Sequence, residues 1–266
     1  VANVPRIHTI EPKGPFSLAA AARFIAGWPP GQARIGDGEV GLHFLVDDWS
    51  GAATVTLRQD GDAVTATVEA ENVERALAQA ARIVSLDHDG TAYPEVDDPI
   101  ARQVLRDSDY LRPVLFHSPY EAAALSIISA RTSRATGNRL RDALGSTFPA
   151  PRQLLELQEL EGLPQNKIPR LHGIAQAAIE GKLDREPLLA MPPDAARAQL
   201  LELSGIGPFY ANLILLRAVG TTDVLAENEP KLKDAVQARY GQPLADVADA
   251  WRPFRTWFSV LMRANA

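Results

Sequence analysis

Leu203-Ser-Gly-Ile-Gly-Pro-Phe-Tyr-Ala-Asn212 joins two apolar runs, Leu200-Leu201-Glu202-Leu203 before it and Leu213-Ile-Leu-Leu216 after it. Gly205-Ile206-Gly207 allows a tight turn, and Pro208 suits a first helical position, where a missing N–H costs nothing. The pattern predicts two helices with a hairpin between them. The free N–H groups of the second helix then point outward at the positive end of its dipole. Such a turn can hold an anion, a DNA phosphate included, without reading base identity. The same residues also suit a plain helical hairpin with a glycine-rich turn.

The hairpin sits in a largely helical region. From about Asp98 the strand signal vanishes, and helices are predicted over Pro99–Asp107, Pro119–Arg131, Arg134–Leu144, Pro208–Val219, Pro230–Tyr240 and Leu244–Ala264, among others. The first part reads differently. An apolar, alanine-rich helix over Phe16–Trp28 ends at Pro29-Pro30-Gly31, and strands follow at Val40–Val46, Ala52–Arg58 and Ala63–Ala70. Gln59-Asp60-Gly61-Asp62 supplies a hairpin turn between the last two. An amphipathic helix over Glu71–Leu86 completes a small antiparallel sheet with helices on one face. The expected architecture is mainly α, with a small α+β domain over residues 1–90 and a helical domain over 91–266, the hairpin at about 194–219.

Composition removes several function classes. The 266 residues include no cysteine, which excludes disulfides, thiolate zinc sites and cysteine-held iron–sulfur clusters. His8, His43, His88, His117 and His172 are scattered and never fall at metal-ligand spacing. No metal and no cofactor is expected. No apolar run approaches the roughly 18 residues needed to cross a bilayer, and Val1 to Gly14 lacks a secretory pattern. The expectation is a cytoplasmic, nucleoid-associated monomer with no membrane partner.

The net charge of −6 argues at first against a nucleic-acid partner. The acid is unevenly placed. Residues 1–100 carry 7 Lys and Arg against 15 Asp and Glu, whereas residues 101–266 carry 20 against 18. In the second part Arg131, Arg134, Arg139 and Arg141 cluster closely, as a phosphate-facing patch or a solvated helix face would.

An acid at a helix start, Glu229, follows Gly207 by 22 residues. With that frame, Leu203-Ser-Gly-Ile-Gly-Pro-Phe-Tyr-Ala-Asn212 resembles the hairpin of the helix-hairpin-helix (HhH-GPD) DNA glycosylase superfamily, and the chain resembles its bacterial DNA-3-methyladenine glycosylase II type. Asp223-Val-Leu-Ala-Glu-Asn-Glu-Pro-Lys-Leu-Lys233 resembles the segment bearing the family's essential acid. Trp251-Arg-Pro-Phe-Arg255 resembles the Trp-x-Pro-aromatic-Arg run of the last helix. Pro113-Val-Leu-Phe-His-Ser-Pro-Tyr-Glu-Ala122, ahead of a helix ending at Ile127-Ile-Ser-Ala-Arg131, resembles the lesion-probing segment. The similarity covers about residues 85–264, and the first 85 residues fit the family's sheet domain in outline.

The resemblance implies a base-excision repair hydrolase acting on duplex DNA that contains damaged, alkylated bases. It places Glu229 where the family's aspartate stands, with Glu227 and Asp223 as neighbouring carboxylates; Glu229 also reads as a residue favoured at a helix N-terminus. Ser204, Gly205, Ile206, Gly207 and Pro208 would hold phosphate. Arg131 would fill the gap left by an extruded base, where relatives often carry glutamine or leucine, or would be a surface arginine before a turn. Phe116, Tyr120, Phe209, Tyr210 and Trp257 are candidates for the base pocket, each equally suited to a core. Bifunctional relatives carry a lysine two residues after the second hairpin glycine. Here that residue is Phe209, which implies hydrolysis without strand cleavage. Two other readings use the same fold: a damaged-DNA-binding protein without catalysis, and an interaction scaffold.

Overall fold

The computed structural model describes residues 6–27, 33–36 and 38–265. A five-stranded antiparallel sheet is built from β1 (Arg6–Ile10), β2 (Ala33–Gly36), β3 (Glu39–Leu45), β4 (Ala52–Asp60) and β5 (Ala63–Glu69), in the order β1-β5-β4-β3-β2. The three central strands are those with strong alternation. Val40, Leu42 and Phe44 of β3, Val55 and Leu57 of β4, and Val64, Ala66 and Val68 of β5 all turn inward. Edge strands β1 and β2 are additions to the sequence reading. Both are short and mostly exposed, so they carry little period-two signal. Gly61, at φ +59, turns the β4–β5 hairpin with Asp60 paired to Ala63.

Two helices cover the sheet. In α1 (Leu18–Ala26) the Ser17 side chain caps Ala20 N–H, and in α2 (Val73–Ile83) Asn72 caps Arg75 N–H. The end predicted for α1 at Trp28 and Pro29-Pro30-Gly31 lies outside the described residues. The small unit joins the helical body through polar ties. Arg112 donates to the carbonyls of Lys13, Gly14, Pro15, Ser85 and His88. Arg82 pairs with Asp47 and donates to the His117 carbonyl at 2.6 Å.

The body comprises α3 (Pro99–Asp107), α4 (Pro119–Ser129), α5 (Arg134–Asp142), α6 (Pro151–Glu156), α7 (Ile168–Ile179), α8 (Arg185–Ala190), α9 (Pro193–Leu201), α10 (Pro208–Ile214), α11 (Pro230–Tyr240), α12 (Leu244–Val247) and α13 (Arg255–Ala264). Proline opens many of them, with Asp98, Ser118 and Glu229 as side-chain caps of α3, α4 and α11. A wider π-type turn, Leu215–Val219, extends α10 to Gly220. The single helix expected over Leu244–Ala264 is instead α12, a short 3₁₀ turn at Ala248–Trp251, and α13. Pro253 cannot donate to a continuing ladder, so the helix stops before it.

Packing groups the described apolar side chains into three cores. One lies between sheet, α1 and α2; a second holds α4 to α10; the third joins α3 to α11, α12 and α13. A domain boundary near residue 90 remains our proposal, supported by a sheet core drawn almost wholly from residues 18–86. No helix among the described residues is long and apolar enough to cross a membrane.

Candidate active site

The hairpin has two glycines with different reasons to be glycine. Gly205 has φ +92, and a Cβ there would lie 2.7 Å from Ile127 Cδ1 and 3.0 Å from Arg170 Cδ. Its own fold demands glycine. Gly207, the N-cap of α10, has φ −95 and ψ 179, and a Cβ would meet nothing within 4 Å. Nothing inside the chain requires glycine at 207, but a partner approaching from outside would gain room. Ile206 is buried and donates to the Leu203 carbonyl at 2.9 Å, whereas Ser204, Gly205 and Pro208 are exposed. One buried side chain therefore pins a turn whose backbone faces solvent.

Beside the hairpin opens a cleft of about 980 Å³ between α1, α4, α5, α10, the start of α11, and α13. Phe116, Phe209 and Tyr210 border it. Phe209 is 63% exposed and meets Tyr210 edge-to-face at 5.3 Å. Burial raises the Tyr210 hydroxyl pKa. Tyr120 and Trp257 do not border the cleft. Tyr120 donates to the Pro149 carbonyl at 2.9 Å and packs edge-on against Trp49 and Phe148. Trp257 is buried among Tyr93, Phe254 and His88, with the Arg112 guanidinium 5.4 Å from its ring. Both are core residues.

The three candidate carboxylates separate clearly. Asp223 is taken up by Arg255, Nε to Oδ1 at 2.7 Å, and by Arg252 at 2.9 Å. Glu227 is exposed and does not border the cleft. Glu229 does. It accepts from Leu232 N–H as the cap of α11, and its Oε1 lies 3.5 Å from Arg263 Nε. The capping role is thus present, and the carboxylate still faces the cleft. Within Trp251-Arg-Pro-Phe-Arg255, Arg252 and Arg255 are the residues that hold this segment, through Asp223. Trp251 Nε1 donates instead to Asp98, the cap of α3, at 2.8 Å, while the Arg255–Asp223 pair fixes the start of the chain that leads to Glu229.

Arg131 does not border the cleft either. It is exposed at φ +57 on the corner after α4, a conformation unusual for a side chain with a Cβ. Lys167 Nζ braces that corner, donating to Ile128 O at 2.9 Å and Ala130 O at 2.7 Å. Of the arginine cluster, Arg134 and Arg141 reach the cleft.

Several cleft residues were not singled out from sequence: Phe24, Arg217, Arg263 and Lys231. Arg217 offered a signal, as the one charge in the apolar run Leu213–Val219. It is 7% exposed, donates to the Val114 carbonyl, and lays its guanidinium 5.1 Å from the Phe24 ring centroid. Burial, reinforced by the charge of Arg263, lowers its pKa to about 9.

Comparison with solved structures gives matches over nearly the whole chain. The 3-methyladenine DNA glycosylase from Archaeoglobus fulgidus superposes with a TM-score of 0.77 at 19% identity, covering 96% of this chain and 97% of that one. This is the helix-hairpin-helix DNA glycosylase fold. The likeness includes the sheet domain, beyond the 85–264 span of the sequence resemblance. The Clostridium acetobutylicum 8-oxoguanine glycosylase/lyase matches with a TM-score of 0.67 at 15% identity, over 98% of both chains. The DNA-3-methyladenine glycosidase from Bacillus halodurans matches at 0.57 and 19% identity, over 67% of this chain and 89% of that one. No family model matches the sequence, and no curated protein does. At such identities the DNA glycosylase fold is common to them all, while the cleft side chains belong to this chain.

Proposed function

We propose that the protein is a monofunctional DNA glycosylase, which hydrolyses the N-glycosidic bond of a damaged base in duplex DNA. One observation carries the reading: Glu229 is the member of the Asp223–Glu229 acid set that borders the cleft, and the hairpin helix α10 borders the same cleft. An enzyme reaching that bond turns the nucleotide out of the stack. The hairpin would hold backbone phosphate through Gly207 and the N–H groups beyond it, as phosphate contacts position without specifying. Arg131, presented on its braced corner, would occupy the vacated stack. Phe116, Phe209 and Tyr210 would receive the base.

As the C1′–N bond breaks, the sugar gains oxocarbenium character, and a nearby carboxylate stabilises that charge. The Glu229 side chain is 18% exposed, and a hydrogen bond from Leu232 N–H together with the ion pair to Arg263 sets its orientation. It can direct a water at C1′ and accept its proton. Phe209 stands where bifunctional relatives have lysine, which supports simple hydrolysis. The structural neighbours act, by their names, on 3-methyladenine and on 8-oxoguanine, so the fold accommodates lesions of either kind. The Clostridium enzyme has been seen with duplex DNA, which supports DNA as the partner here.

A second reading, damaged-DNA binding without excision, is favoured by the engagement of both Glu229 oxygens within the protein. Single-turnover base release from lesion-bearing duplexes separates the two. Release by wild type that falls roughly 100-fold in Glu229→Gln supports catalysis; tight binding with no release supports the second reading.

A further inference from the structure

The charge around the cleft is lopsided. Arg23, Arg134, Arg141, Arg217, Lys231 and Arg263 border it, against Asp142 and Glu229. Depth sorts these cations into two groups. Arg23, Arg134, Lys231 and Arg263 are exposed, where they could meet a phosphate backbone. Arg141 and Arg217 are buried, at 6% and 7% exposure, and belong to the interior of the cleft. Arg141 has a carboxylate behind it, Glu121 at 3.5 Å. Arg217 is anchored on the Val114 carbonyl and on the Phe24 ring, so it cannot swing out to solvent without breaking both contacts.

An aromatic pocket attracts a cationic base through the faces of its rings. Here the position over Phe24 is held by the protein's own guanidinium. Tyr120 and Trp257, which would have enlarged an aromatic cage, lie in the cores. The pKa of Arg217, about 9, remains above neutral pH, so the group is charged when the cleft is used. A purine made cationic by alkylation would enter against that charge, and beside a guanidinium that is 7% exposed Coulomb repulsion is less screened than in bulk water.

We propose that the cleft selects neutral bases that present carbonyl oxygens, the products of deamination or oxidation, over cationic alkylpurines, and that Arg217 is a residue determining this choice. The inference rests on the glycosylase reading and names the substrate class of that site. It replaces the alkylated base implied by the sequence resemblance. A guanidinium donates to carbonyl oxygens, and it also eases departure of a neutral base. When the C1′–N bond breaks, its electron pair stays on the base, whose oxygens then carry negative charge beside Arg217. Water adds its oxygen to C1′ and gives up a proton, through Glu229, to the departing base. The products are the neutral base and an abasic sugar. A cationic alkylpurine already leaves as a neutral molecule, and gains nothing from such a group.

The test is single-turnover release from four duplexes, each containing one hypoxanthine, uracil, 8-oxoguanine or 7-methylguanine. Wild type should release at least one of the first three about tenfold or more faster than 7-methylguanine. The arms also separate deaminated from oxidised bases. Arg217→Met should move the ratio about tenfold toward 7-methylguanine, and Arg217→Lys should move it less. Preferential release of 7-methylguanine by wild type overturns the inference while leaving the glycosylase reading intact. An unmoved ratio in folded Arg217→Met overturns the role of Arg217. Release from none of the duplexes, with DNA still bound, overturns the glycosylase reading and this inference with it. Where Arg217→Met does not fold, the wild-type ratio alone decides the substrate class.

Discussion

Arg255 Nε donates to Asp223 Oδ1 at 2.7 Å, and a second nitrogen of the same guanidinium reaches the Asp223 backbone carbonyl, also at 2.7 Å. This fork ties the last helix to the start of the segment that ends at Glu229. It also removes Asp223 from the set of available acids. Asp223→Ala should therefore act on stability, costing about 2 kcal/mol, with any loss of rate following from a displaced Glu229. A thermal melt beside a base-release assay checks this. A variant with unchanged melting temperature and abolished chemistry would make Asp223 the catalytic acid.

Glu229→Gln should show the reverse pattern. Glutamine keeps an oxygen for Leu232 N–H, so the loss of stability should stay below about 1 kcal/mol. The negative charge is gone, and single-turnover excision should fall roughly 100-fold, with DNA affinity nearly unchanged. An unchanged rate would return Glu229 to the role of a helix cap.

The two hairpin glycines should respond differently to alanine. At Gly205 the backbone is left-handed and the new Cβ runs into Ile127, so Gly205→Ala should destabilise by about 1–3 kcal/mol. Gly207→Ala should fold normally, because its φ is ordinary and the space around it is open. If phosphate approaches there, its affinity should fall alike for damaged and undamaged duplexes, and Gly207→Asp should lower it further. Titrations at fixed salt read this out. A folded Gly207→Asp that binds duplex as wild type does would show that the hairpin is not the DNA anchor.

With Phe209 at the lysine position, abasic DNA should emerge intact, and borohydride should trap no covalent complex. Lys231 makes this a sharp test, because its amine borders the same cleft two residues after Glu229. A trapped adduct that disappears in Lys231→Ala would assign it as a nucleophile and overturn the monofunctional reading.

Acid should weaken the α4–α5 contact. Glu121 is fully buried; burial alone would raise its pKa, but His117 at 3.1 Å and Arg141 at 3.5 Å outweigh it and hold the pKa below the ordinary value. A depressed carboxylate pKa contributes stability above the unfolded value, near 4.5, that is lost as pH falls through the folded one. Wild-type melting temperature should drop over that range. Glu121→Gln should be about 3 kcal/mol less stable at neutral pH, since it leaves buried Arg141 with only the exposed carboxylate of Asp142, 3.9 Å away, and should lack this part of the acid dependence. Parallel slopes below pH 4.5 would show that other groups set the acid limit.

The features legible in the sequence are those made by neighbours along the chain. Gly205, Gly207 and Pro208 specify a hairpin through backbone freedom and a missing donor, effects that need no distant partner. Pro99 and Pro230, each following an acidic cap, mark helix starts that the structure keeps at the same residues. Central strands β3, β4 and β5 announce themselves because one face is buried and the other is not. The cleft lining is of another kind. Every residue of α4 from Pro119 to Ile128 is buried, so no polar stripe tells which side meets the cleft. Ala122 and Leu125 of α4 border the cleft while Tyr120 of the same helix packs against Phe148, and Phe116 reaches the cleft from the extended segment before the helix. Arg217 and Phe24 stand 193 positions apart, on the helical body and on the sheet domain, and only docking of the two units brings ring and guanidinium together. Local rules chose the hairpin and the helix ends; burial from several directions at once chose which charges and rings surround the cleft, and that depends on contacts no stretch of sequence contains.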